Sequence, residues 1–87
     1  MPKEHTRRLQ QAVNAVIANQ LRDRNPPATG ETLARLLAGG HSEEEAMRLI
    51  GLVVAAEVIA VLHRGAPYDE ARYVAALNGL PDTLPRL

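Results

Sequence analysis

The chain has no cysteine, no phenylalanine and no tryptophan, and Tyr68 and Tyr73 are its only aromatic residues. The missing thiols exclude disulfides and thiolate metal sites, so any metal would need His, Asp or Glu. The missing large aromatics leave the core to Leu, Ile, Val and Ala, which suit close helix packing. An excess of either charge is lacking too, because ten Lys and Arg balance ten Asp and Glu. The balance hides a gradient. Residues 1–24 carry Lys3, Arg7, Arg8, Arg22 and Arg24 against Glu4 and Asp23, about +3, whereas residues 25–48 carry about −2. This is slender ground for binding nucleic acid.

Long uninterrupted apolar runs are the third absence. A membrane span needs ~20 apolar residues; Glu57 divides the one candidate, Leu49 to Leu62, and Arg48 and Arg64 bound it. The first residues, with Lys3, Glu4, His5, Arg7 and Arg8, contain no hydrophobic signal-peptide core. The expectation is a cytoplasmic protein without a membrane partner. Eighty-seven residues suit a single domain over 1–87, but a chain this short buries only ~60–65% of its unfolded surface. A partner would widen a thin stability margin.

What is present is helical periodicity. The first helix is expected at about 6–24, with Leu9, Val13, Val16, Ile17 and Leu21 as its stripe and Asn25-Pro26-Pro27 as its stop. Gln20 falls inside that stripe. A short helix at about 30–38 follows, capped by Thr29, with Leu33, Leu36 and Leu37 as its apolar face and Gly39-Gly40 at its end. Ser42 and Glu45 then form a capping-box pattern, and Glu43, Glu44 and Glu45 place negative charge where the helix dipole favours it. This third helix is expected over 43–63, with Gly65 in the capping position. The last helix, about 70–77, takes Asp69 as N-cap and Tyr68 and Tyr73 as the two halves of a hydrophobic staple. Residues 80–87 read as an irregular tail. No alternating segment bounded by hairpin turns suggests a strand, so the expected fold is all-α, a small four-helix domain around a long, central, nearly all-apolar third helix.

The wheel of that helix yields two expectations. Met47, Ile50, Val53, Val54, Val58 and Val61 cover one broad face, while Leu49, Leu52, Ala56 and Ile59 cover another. A helix apolar all round is buried all round, and three further helices, two of them short, leave one face over. A homodimer is therefore expected, with Leu52, Ala56 and Ile59 as candidate interface residues; a monomer whose loops cover that face is the alternative. The second expectation concerns Glu57, which falls among Ile50, Val53 and Val61. An ionised carboxylate there must be protonated, paired with a cation, or hydrogen-bonded to a polar side chain. Gln20, the other polar residue on an apolar face, is its candidate partner, either as a pair that fixes packing register or as part of a ligand or metal site.

The histidines offer little. His41 precedes the Ser42 cap, so helical spacing does not bring it to Glu45, and His5 and His63 have no acidic partner at ligand spacing. No H-E-x-x-H, G-x-S-x-G, P-loop or dinucleotide fingerprint occurs. No catalytic constellation, cofactor or metal is thus expected. Gly39-Gly40 between two helices has the outline of a helix-turn-helix, but Glu43, Glu44 and Glu45 would then meet phosphate, which counts against nucleic acid.

Asn19-Gln20-Leu21, Asn25-Pro26-Pro27, the run Ala46 to Gly51, Glu57, and Tyr68-Asp69-Glu70-Ala71-Arg72-Tyr73 with Leu77 together resemble an uncharacterised group of small bacterial helical domains. The resemblance covers roughly residues 9–80 and implies the fold. That group carries histidines and a glutamate at the positions of Asn14, Ala18, Glu44 and Arg48, which looks like a metal site; this chain lacks the histidines. The resemblance implies no reaction. The residues point to a noncatalytic oligomerisation or protein-interaction domain, with a small-ligand or metal-binding protein built around Glu57 and Gln20 as the alternative.

Overall fold

The structure, a computed structural model, describes residues 3–85, with side chains from Arg7 onward. His5 lies outside the described side chains, and Arg86 and Leu87 lie outside the described residues. Four helices form the fold: α1 (Lys3–Asp23), α2 (Pro27–Ala38), α3 (Glu43–Arg64) and α4 (Glu70–Asn78). No strand occurs among the described residues. At 1.5 Å per residue α3 is ~33 Å long, close to the 35 Å long axis of the domain. It packs against each of the other three helices, and α2 does the same, whereas α1 and α4 are not backbone neighbours. The core is the expected set of aliphatics, chiefly Val13, Ile17, Leu36, Leu49, Ile50, Val53, Val54, Leu77 and Leu80, with Tyr73 as its one aromatic.

Local chemistry explains most helix ends. Ser42 accepts a hydrogen bond from the Glu45 amide at 3.0 Å, and Asp69 accepts one from the Arg72 amide at 3.1 Å, so both N-caps stand where the sequence puts them. The reciprocal half of the Ser42 capping box is not formed. Glu45 turns away to Arg48, which donates through Nε and Nη2 at 2.7 and 2.9 Å, because a bidentate charged fork one turn along the helix outcompetes a single amide. That guanidinium holds the Glu45 carboxyl below its usual range. The staple forms as well, with the Tyr68 and Tyr73 rings 6.1 Å apart.

Three expectations are corrected. First, α2 begins at Pro27, not at Gly30, with Pro26 as its N-cap, because proline suits the first helical position, where its missing N–H costs nothing. Thr29 therefore lies inside the helix. The corrected register turns Ala28, Thr29, Thr32 and Leu36 inward and leaves Leu37 exposed. Second, Leu80 is core rather than tail, at 2% exposure. Arg35 of α2 holds the turn around it, donating to the carbonyls of Leu77 at 2.9 Å and Leu80 at 2.6 Å; the Leu77 carbonyl also accepts from the Leu80 amide at 3.1 Å, and a cation at this end of α4 complements the helix dipole. Third, α1 spans Lys3–Asp23 rather than about 6–24; it closes through Arg24, which adopts a left-handed φ of 53°, while the Asn25 amide reaches back to the Gln20 carbonyl at 3.2 Å.

Candidate functional site

The C-terminal half of α3, the middle of α1 and the start of α4 enclose an apolar cleft of about 260 Å³. Val16 from α1 and Val54, Val58, Val61 and Leu62 from α3 form its walls, with Tyr68 and Tyr73 closing one side. Gln20 and Glu57 both line it. The two polar residues that the sequence singles out are thus brought to one place, but not to each other.

Glu57 is paired with a cation, Arg72 of α4. The guanidinium donates through Nε at 2.9 Å and Nη2 at 3.0 Å, the parallel fork that arginine makes with a carboxylate. The Glu57 side chain is 14% exposed and that of Arg72 is 47% exposed, so the pair spans the boundary between core and water. The fork raises the Arg72 pKa above its ordinary value. Sequence reasoning missed Arg72. Its signal lay in the staple: Tyr73 turned to the core places its neighbour, Arg72, on the flank of α4 that faces α3.

Gln20 instead anchors a hydroxyl network. Its Oε1 accepts from Thr29 Oγ1 at 2.7 Å and from Tyr73 OH at 2.8 Å, and the two hydroxyl oxygens lie 3.2 Å apart. Thr29 is fully buried and Tyr73 is 1% exposed. An amide oxygen with two lone pairs is the acceptor that two buried hydroxyl donors need. The network joins α1, α2 and α4, and its Gln20–Tyr73 bond bridges the two helices whose backbones do not meet. Burial raises the Tyr73 phenol pKa. Burial and the nearby carboxylates of Glu70, Glu57 and Asp69 raise that of Tyr68.

The other sequence candidates scatter. Leu52, Ala56 and Ile59 are part-covered rather than bare. Ala56 stands in a shallow groove with Pro85 of the C-terminal segment, and Leu52 shares a groove between α1 and α3 with Leu9 and Val13. Asn14, Glu44 and Arg48 also line that groove, while Ala18 is exposed elsewhere on α1. Among the described residues, no three His, Asp or Glu side chains gather as a metal site. Among the described residues, the two largest apolar exposures lie at the cleft, Leu62 at 74% and Tyr68 at 51%, with Val61 exposed beside them, while Leu84 and Leu37 are exposed outside it. Helix α3 is, by length and composition alone, long and apolar enough to cross a membrane, and only 33% of its most apolar stretch is buried within the domain. The division of that run by Glu57 does not by itself disqualify it, since Arg72 pairs with the Glu57 carboxylate.

Chemically, the cleft is suited to holding hydrocarbon. Its one carboxylate is neutralised by Arg72, and its buried hydroxyl is engaged with an amide, which is no base. Comparison with protein-family models, with curated proteins and with solved structures gives no match.

Proposed function

We propose that this chain is a noncatalytic interaction domain that acts by self-association. The observation that carries the reading is the incomplete cover of α3. An apolar 22-residue helix has only a third of its most apolar stretch buried, and the barest large apolar side chains among the described residues, Leu62 and Tyr68, stand together at one end of it. Contiguous apolar surface of this kind marks association sites on soluble proteins. Insertion of α3 into a bilayer is a poorer account, because Leu49, Ile50, Val53 and Val54 on the same helix form the core against α1, α2 and α4. A polar-ligand site at Glu57 and Gln20 is also poorly supported, since Arg72, Thr29 and Tyr73 already engage those groups.

Thermal unfolding followed by circular dichroism across a hundredfold range of protein concentration tests the reading. A dimer that unfolds to monomers gains stability by mass action, so Tm should climb by roughly 5–10 °C over that range. A Tm independent of concentration contradicts self-association.

A further inference from the structure

We infer that the partner is a second copy of this chain and that Leu62 is the anchor, each copy placing its Leu62 in the other's cleft. This rests on the self-association reading and names its surface. A two-fold contact is isologous, so one patch must carry both the projection and the hollow that receives it. The cleft meets that requirement: Leu62 stands on its rim, 74% exposed, beside a hollow of about 260 Å³ walled by Val16, Val54, Val58 and Val61.

Charge favours the same occupant. A two-fold axis brings every charge near its own image, so a charged patch repels itself. Here the only ionised residue among the cleft's lining is Glu57, and Arg72 neutralises it through two hydrogen bonds. The whole chain is also neutral, with ten cations against ten carboxylates, so no long-range repulsion opposes the approach of two copies. A small polar molecule has less to recommend it, because ligand pockets fix orientation with several convergent polar groups, and of those lining this cleft Glu57 is held by Arg72 and the Gln20 oxygen and Tyr73 hydroxyl by each other, which leaves the rim hydroxyl of Tyr68. The surface lies at the C-terminal end of α3, away from the part-covered Leu52.

Size-exclusion chromatography with light scattering on wild type and three variants tests the assignment. Wild type should be dimeric at micromolar concentration. Leu62→Glu should be monomeric with an unchanged helical circular dichroism spectrum, and Leu62→Ala, which adds no charge, should raise the dimer Kd at least roughly tenfold. Leu37→Glu, at an exposed leucine on α2, should leave the dimer intact. If the Leu62 variants dimerise as wild type does, the anchor is refuted while self-association stands on another face. A wild-type monomer refutes both, and native mass spectrometry showing that monomer loaded with an apolar compound would give the cleft to a ligand instead.

Discussion

At the scale of single residues, two polar sites inside an apolar bundle carry different weights. Gln20 is the acceptor for two buried hydroxyls, so Gln20→Ala strands donors that water cannot reach. The expected cost is about 1–3 kcal/mol, read from urea unfolding at pH 7. Glu57→Gln should cost less, about 1 kcal/mol or below, because Arg72 is close to half exposed and water screens the pair. A Glu57→Gln cost above that of Gln20→Ala would reverse this ranking. Tyr73 adds a pH dependence whose sign is fixed by burial. Its folded pKa is raised, so its contribution is intact below the unfolded phenol value of about 10 and is lost as pH rises through the folded value. Tyr73→Phe should flatten the loss of stability above pH ~10, and an unchanged alkaline slope would contradict the assignment. The wheel made Gln20 and Glu57 legible as misplaced polar residues, but not their partners. A helix wheel orders side chains around one axis and is blind to what a neighbouring helix presents; Thr29, Tyr73 and Arg72 come from α2 and α4.

Helices whose ends are written in side-chain chemistry were legible to within a few residues. Ser42 and Asp69 cap α3 and α4 as their sequence positions suggest. α2 was misplaced because Thr29 has two readings, cap or interior; Pro27, suited to the first helical position, was the local signal for the second, and the partners of the Thr29 hydroxyl, Gln20 and Tyr73, come from other helices. Leu80 was missed because the turn that carries it is bonded to Arg35, forty-five residues earlier in the chain. Arg35→Ala should therefore loosen the end of α4, visible as faster amide exchange at Gly79, Leu80 and Thr83, and undisturbed protection there would show that the two carbonyl bonds are dispensable. The opposite effect is expected at the end of α1. Arg24 holds a φ of 53°, a region that side chains pay to enter and glycine occupies freely, so Arg24→Gly should stabilise the domain by roughly 0.5–1 kcal/mol. Equilibrium denaturation measures this directly, and a destabilised variant would mean that the arginine side chain outweighs its backbone strain.

For the whole molecule, the all-α architecture with a long apolar α3 followed from periodicity and caps alone, because a 22-residue apolar segment dictates what must pack around it. The surplus of apolar surface was legible too, but the barest residues on α3 were not. The wheel assigned it to Leu52, Ala56 and Ile59, all part-covered in the fold, whereas on α3 itself the exposed large apolar residues are Val61 and Leu62, beside Tyr68 at its C-terminal end. A wheel projects a helix down its axis and so cannot show which end is covered. The account therefore turns on whether that end meets a second copy. Light scattering from purified protein at micromolar concentration is the most direct measurement: a mass of twice the 9.4 kDa chain is the predicted result, and a single-chain mass would contradict the account.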